Sequence, residues 1–407
     1  MKKTVLKEYA KLIVEVGANV QKGQEVQVTA GMDQPEFVTY VVEACYKAGA
    51  KKVTVEWKND ALTKLHAKYQ KLNVLSKVEA WEEAKLQHMV DTLPCRIFIM
   101  SEDPDGLKGI SEPKYSKSLA ARGKIVKPYR QAIDNKHQWT IAAVPGEKWA
   151  KKVFPHLSKK QAVEALWETI LSCARANGDA VANWEAHNAQ MEKNAAYLNE
   201  KGIRKLHFKS ANGTDLTVGL MDRSRFCAAC DTTLSGVKYT PNMPTEEVFT
   251  TPKKGEAEGV VYASMPLSYQ GQLIENFSME FKNGKVVSVK AEKNEALLQR
   301  MVEMDENAGY LGECALVPKE SPINRSGLIF YNTLFDENAS CHLAMGMGYA
   351  DTIKNHHDKT LDECRELGIN DSMIHEDFMI GCDTMNIDAH CADGKVVPIF
   401  RNGNWAF

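Results

Sequence analysis

Apolar residues recur at helical spacing from the start of the chain, at Val5, Leu6, Tyr9, Leu12, Ile13 and Val16, and predict an amphipathic opening helix. The alternating run Glu25-Val-Gln-Val-Thr29 predicts a strand, and Pro35 suits the first turn of the helix after it. The pattern then repeats, with a strand at Lys52–Trp57, a helix from Trp81 to Met89 and a strand at Arg96–Met100. A helix around Lys117–Asp134 and a strand at Gln138–Ala143 complete the series. Strand, helix and strand at this spacing predict βαβ units and a largely parallel sheet. Ser158 and Gln161 have capping-box spacing ahead of a helix with Val163, Leu166, Trp167 and Ile170 on one face. A more polar helical run from about 179 to 201 carries Val181, Trp184, Met191 and Leu198 along one side. Its end at Gly202 is the expected domain boundary.

Beyond Gly202 the pattern changes. Asn212-Gly213, Asn283-Gly284, Asp393-Gly394 and Asn402-Gly403 each lie near alternating or apolar β-type runs. Such pairs favour type I′ hairpin turns, where both central residues need φ > 0. One helix is expected from about Asn294 to Asn307, with Leu297, Met301 and Met304 inward. The fold class expected is therefore an α/β N-terminal domain with a largely parallel sheet over 1–202. An α+β domain with antiparallel strands follows over 203–407.

Composition narrows the function classes. A chain of 407 residues suits two domains, and 44% hydrophobic with 26% charged residues suits an ordinary globular protein. A formal charge of −2, without a Lys/Arg stripe interleaved with aromatics, argues against nucleic acid as a partner. No run of about 18 apolar residues exists to span a membrane. Lys7, Glu8 and Lys11 interrupt any apolar segment after Met1-Lys2-Lys3, so a cytoplasmic location is expected. The 10 cysteines read as reduced thiols. Cys227 and Cys230 form a C-x-x-C without the second pair that a structural zinc site needs, and read as two buried small hydrophobes. No glycine-rich nucleotide loop follows any strand of the first half, which reads as scaffold. Asp103, Asp105 and Glu112, and likewise His356, His357 and Asp358, read as solvated loops.

The candidate chemistry lies in the second half. Glu246 and Glu247 sit in a proline-bracketed segment, where alternation lets only one face a given site. Glu313 stands alone among strand-like apolar residues. Glu337, His342 and Tyr349 fall within one short stretch spaced by Ala339, Ser340, Ala344, Gly346 and Gly348. His375 and Asp377 are two apart, on one face if extended. Singly, each is ordinarily a solvated acid or a satisfied core histidine. Together they place several charges among small and apolar residues, where unpaired charge is costly and divalent cations relieve the cost. Mixed Glu/Asp/His donors suit zinc, cobalt, manganese or iron more than calcium. The excess of carboxylates suits two metals able to hold a hydrolytic water and polarise a carbonyl. From the residues alone three readings stay open: peptide hydrolysis, a dinuclear metal hydrolase acting on a phosphoester or non-peptide amide, and a non-enzymatic metal or thiol module using Cys227 and Cys230.

These segments resemble the aminopeptidase T family, the thermophilic-type metallo-aminopeptidases that include aminopeptidase S. The likeness runs through Asn242-Met-Pro-Thr-Glu-Glu-Val-Phe-Thr, Gly312-Glu-Cys-Ala-Leu-Val, Leu334-Phe-Asp-Glu-Asn-Ala-Ser-Cys-His, Gly346-Met-Gly-Tyr and His375-Glu-Asp-Phe-Met-Ile-Gly. It extends to the opening segment, with Gly-Ala-Asn-Val-Gln-Lys-Gly-Gln and Lys-Ala-Gly-Ala-Lys-Lys-Val. The resemblance implies metal ligation by Glu247, Glu313, His342, His375 and Asp377, with Glu337 as a further ligand and Tyr349 as the catalytic phenol. It also implies two divalent ions, usually zinc or cobalt, with manganese or magnesium as alternatives. Glu313 is taken as the bridging carboxylate. The substrates implied are peptides with a free N-terminus, and the assembly implied is a homodimer. The segment between Tyr349 and His375 is expected to follow the family least.

Overall fold

A computed structural model describes residues 1–270 and 272–407, with the Glu112 side chain outside the described residues. The chain forms two compact units, Met1–Glu185 with Cys230–Pro244, and Ala186–Ala229 with Thr245–Phe407. The boundary at Glu185 falls inside the long helix Ala180–Glu200. No helix among the described residues is long and apolar enough to cross a membrane.

The first unit holds a five-stranded sheet in the order Lys52–Lys58, Glu25–Gly31, Cys95–Met100, Trp139–Ala143, Asn242–Met243. Every pairing in it is parallel, as the βαβ spacing predicts. Cys95, Ile97 and Ile99 of the central strand are buried, and so are Val26, Val28 and Ala30 of its neighbour Glu25–Gly31. The opening helix Lys3–Leu12 continues into a π-helical turn at Ile13–Gly17. Its Tyr9 ring packs 5.5 Å from Phe37, and Phe37 in turn lies 5.5 Å from Trp167. Pro35 begins the helix Pro35–Lys47. Ser158 and Gln161 form the expected capping box of Lys159–Cys173, which buries Leu166, Trp167 and Ile170. Asp103 and Asp105 are paired with Lys148 (3.1 Å) and Lys152 (2.7 Å). They form a surface ion-pair loop.

The second unit is antiparallel, as predicted. Its large sheet runs Leu267–Tyr269, Gln272–Lys282, Pro252–Tyr262, Asp215–Leu220, Ile203–Lys209, Asn386–Cys391, Val396–Arg401, Asn404–Trp405, with Lys285–Lys293 paired to Gln272–Lys282. A four-stranded sheet follows the order Val248–Thr250, Leu311–Leu316, His342–Gly346, His375–Met379. One hydrophobic core joins residues of both sheets, among them Phe208, Leu216, Phe277, Leu343 and Phe378.

Two expectations change here. The helix near Asn294 covers only Glu295–Val302, so Met304 leaves the helical register and is 41% exposed rather than inward. Type I′ geometry appears only at the two-residue loops, where Asn283 and Gly284 (φ 51 and 78) and Asn402 and Gly403 (φ 51 and 77) are left-handed. In the longer loops only Gly213 and Gly394 have positive φ. There Asn212 and Asp393 use their side chains to accept the amide two residues on, at 3.0 and 3.1 Å. Such Asx turns do not need the Asn or Asp itself to be left-handed.

Gly284 and Gly394 share similar φ values, yet a Cβ on Gly284 would lie 2.3 Å from the Gly255 Cα while one on Gly394 would meet nothing within 4 Å. Gly394→Ala should cost about 1 kcal/mol for the left-handed backbone. Gly284→Ala should cost about 2 kcal/mol more for the overlap. Urea unfolding of the two variants measures the difference, and equal losses would refute the crowding.

Candidate metal centre

The register of the four-stranded sheet assembles the site. Glu313 pairs with Ala344, which pairs with Asp377. The next row is Ala315, His342 and Met379, and Gly346 pairs with His375. Residues two apart on a strand share a face, so Glu313, His342, His375 and Asp377 all emerge together. Phe249 pairs with Ala315, so Glu247, two residues earlier, approaches the same side. Ala344, Ala315 and Gly346 keep the middle of this face shallow. The opposite face carries Cys314, Leu316, Leu343 and Phe378, all in the hydrophobic core.

A register shift falls between Leu311 and Glu313, with Gly312 as the extra residue. Leu311 therefore pairs with Met345 on the core side, while Glu313 faces the site despite its i,i+2 spacing from Leu311. A Cβ on Gly312 would lie 2.1 Å from the Met347 carbonyl oxygen. Gly346 is left-handed at φ +100, and a Cβ there would lie 2.2 Å from the Ile374 carbonyl oxygen. Neither position has room for a side chain.

Two groups of possible metal donors result, Glu247 with Glu313 and His342, and Glu313 with His375 and Asp377. Within each, the donor atoms lie within 4.8 Å of one another, and Glu313 belongs to both. His342 Nε2 is 3.3 Å from a Glu247 oxygen. His375 Nε2 is 3.1 Å from a Glu313 oxygen and 3.5 Å from Asp377 Oδ1. On the far side of each ring, His342 Nδ1 donates to the Ser340 carbonyl (3.3 Å) and His375 Nδ1 to the Met347 carbonyl (2.7 Å). A carbonyl only accepts, so these contacts place the Nδ1 proton and turn Nε2 toward the carboxylates.

Electrostatics explain what the face lacks. Burial pushes Glu313 up to about 7, with Glu247 and Asp377 adding repulsion against the relief from His375. Burial also drives Glu337 well above the usual carboxylate range, and Asp377, Glu247 and Glu313 add to it. Burial would raise Asp377 too, but His375 outweighs it and holds the group low. Burial opposes charge on the imidazoles, yet Glu247 keeps His342 up at about 9, and Asp377 and Glu313 keep His375 up at about 12. The carboxylates thus hold both rings cationic. Asp377 Oδ1 is enclosed and accepts no hydrogen bond. An orphaned carboxylate oxygen, surplus acid and two oriented imidazoles fit divalent cations.

The remaining candidates divide. Tyr349 joins the site, its hydroxyl 3.1 Å from His375 Nε2 and its ring edge-on to Phe249. Burial and the surrounding carboxylates hold its phenol well above the ordinary range, so it stays protonated. Glu337 is half-buried, outside both groups, and shares a small cavity with Asp377. Glu246 is buried but also joins neither group. His356 is buried against the exposed His357, ring centroids 3.7 Å apart, and is not the solvated residue expected. Cys227 is buried, Cys230 only half-buried, and neither joins a donor group among the described residues. Sequence reasoning missed Asn338. Its Oδ1 accepts the Glu246 amide (2.7 Å) while its Nδ2 donates to the Leu334 carbonyl (3.0 Å) and Glu337 (3.4 Å). The anchoring carbonyls of Ser340 and Met347 carry no residue signature that sequence could reveal.

A parallel α/β unit, an antiparallel unit and an acid-rich donor face with a protonated phenol are features of a metalloprotease. Residues 2–405 match the model of one such family, and the chain belongs to it: the thermophilic metalloproteases (M29). It is 45% identical over 404 residues to aminopeptidase AmpS of Bacillus subtilis, covering 99% of this chain and 98% of that one. It is 38% identical over 402 residues to aminopeptidase T of Thermus thermophilus, covering 98% of each. The solved structure of wild-type AmpT from Thermus thermophilus superposes with a TM-score of 0.91 at 37% identity, over 100% of both chains.

The metal-free protein should report this charge balance. His342 is raised from 6.5 to about 9, so its stabilising imidazolium is fully present below about pH 6.5 and lost as pH rises through 9. Protein kept in a chelator should lose thermal stability across that window, and His342→Gln should flatten the profile. A flat wild-type profile would refute the balance.

Proposed function

We propose that the protein is a metallo-aminopeptidase that releases N-terminal amino acids from peptides at a two-ion site. The observation that carries this reading is the membership of Glu313 in both donor groups, as a bridging carboxylate requires. Glu247 and His342 would complete one ion's donors, His375 and Asp377 the other's, with Glu337 as a further donor. When bound, divalent ions (zinc or cobalt, with manganese or magnesium as alternatives) supply Lewis acidity that polarises a carbonyl and acidifies a water.

The chain's own groups do the rest. The Nδ1 anchors on Ser340 and Met347 hold both imidazoles in one tautomer, so neither ring must reorient during turnover. Two acids are candidates for accepting the water's proton: Glu246, buried next to Glu247 and outside both donor groups, and Glu313 in a state where it is not held by both ions. Tyr349, kept protonated, donates to the oxyanion that develops on the scissile carbonyl. The acid-lined face favours a free α-amine and disfavours a blocked one. A homodimer and a cytoplasmic location belong to the same proposal.

Tyr349→Phe should lower kcat by about 100-fold, the usual cost of one oxyanion donor, with metal content unchanged by atomic emission. Undiminished kcat would remove the phenol from the mechanism. N-acetylation of a good peptide substrate should abolish cleavage. Continued hydrolysis, or release of phosphate from a phosphoester panel in place of amino acids, would contradict the aminopeptidase reading.

A further inference from the structure

Tyr349 reaches the donor face from a segment that has left its sheet. The strand His342–Gly346 has ended before it, and the 3₁₀ turn Ala350–Thr352 begins after it. Its amide and carbonyl therefore lie outside the strand ladder and need partners from elsewhere. Two threonine hydroxyls supply them. Thr251 Oγ1 accepts the Tyr349 amide at 3.0 Å and donates to the Tyr349 carbonyl at 3.4 Å. Thr352 Oγ1 donates to the same carbonyl at 2.6 Å. Both threonines are 0% exposed, so no bulk solvent competes for either hydroxyl.

The segment that provides Thr251 also serves the metal centre. Residues two apart on an extended chain share a side, and Glu247, Phe249 and Thr251 follow that spacing. Glu247 is a donor of the first group, the Phe249 ring stands edge-on to the Tyr349 ring at 6.0 Å, and Thr251 grips the Tyr349 peptide. A Cβ on Gly348 would lie 2.5 Å from Thr251 Cγ2, so the threonine packs directly against this turn. Other groups hold the flanks. Asn370 Nδ2 donates to the Gly346 carbonyl (2.6 Å), the Gly348 amide to the Asn370 carbonyl (2.9 Å), and the Arg225 amide to the Thr352 carbonyl (2.7 Å). Removing the Thr251 hydroxyl thus loosens Tyr349 and leaves its neighbours anchored.

Resting on the aminopeptidase reading, we infer that Thr251 is a positioning residue for that reaction: with Thr352 it fixes the Tyr349 backbone, so that the phenol stands where the oxyanion develops. The far end of the ring is aimed as well, its hydroxyl 3.1 Å from His375 Nε2. Valine at position 251 would keep the shape of threonine and lose the acceptor. Its methyl carbon would also need about 3.5 Å where the hydroxyl oxygen now sits 3.0 Å from the Tyr349 nitrogen. The Tyr349 backbone would then retreat by about half an ångström, and a shift of about 1 Å at a group that must meet a reacting atom can cost about 100-fold.

The test is a double-mutant cycle on hydrolysis of leucine amide by metal-loaded wild type, Thr251→Val, Tyr349→Phe and the double variant, with Thr251→Ser as the conservative control. Thr251→Val should lower kcat about tenfold, with KM and metal content unchanged. Thr251→Ser keeps the hydroxyl and should keep most of the wild-type kcat. In the Tyr349→Phe background, where no phenol is left to place, Thr251→Val should change kcat by less than about twofold. The same tenfold loss with and without the phenol overturns the positioning role, as does an undiminished kcat, a loss of metal, or a Thr251→Ser variant as slow as Thr251→Val. Each of these leaves the aminopeptidase reading intact. If Thr251→Val does not fold, Thr352→Val removes the other hydroxyl and is read through the same cycle, with the same outcomes deciding. No release of leucine by the loaded wild type overturns the aminopeptidase reading and the positioning role together.

Discussion

The second unit is organised around an unbalanced charge. Glu247, Glu313 and Asp377 are buried on one sheet face, Glu337 stands beside them, and only His342 and His375 oppose them. An unpaired buried carboxylate costs several kcal/mol, and truncating one partner of such a set costs more than the set as a whole gains. Both imidazoles are consequently driven to their cationic form, and an acid oxygen still goes without a hydrogen bond. A face of this kind is stable with metal and strained without it.

Keeping such a face rigid falls to its other side. Leu343, Cys314 and Phe378 alternate with His342, Glu313 and Asp377 and lock the same strands into the hydrophobic core. The bulge at Gly312 turns Glu313 outward while Leu311 stays in that core. Backbone carbonyls then fix the two rings, and Asn338 ties the Glu246–Glu247 segment to Glu337. Small residues between the donors leave clearance. Donors on paired strands with backbone-fixed rings hold their geometry better than donors on loops.

Much of this was legible in the chain. The βαβ alternation, Pro35, the Ser158–Gln161 box and the change of pattern after the long polar helix follow from local periodicity, and the structure contains all of them. His375 and Asp377 were legible as a pair because spacing along one strand is local information. Their partnership with Glu313 was not, because it depends on two successive registers through the intervening strand His342–Gly346 and on a bulge that reverses the facing of Leu311. Met304 and His356 were misread for a related reason. A helix ending at Val302 and a 3₁₀ turn at His356–Asp358 decide burial by a shift of one or two residues, which composition does not encode. The family resemblance supplied the proposed ligand set; the register brings Glu313, His342, His375 and Asp377 of that set to one face.

In the proposed site one carboxylate serves two ions. Metal stoichiometry by isothermal titration of the apo protein tests it most directly, comparing wild type with Glu313→Gln and Glu247→Gln. Wild type should bind two ions tightly, Glu247→Gln one, and Glu313→Gln should bind both more weakly. A Glu313→Gln protein that keeps one ion at full affinity would contradict it.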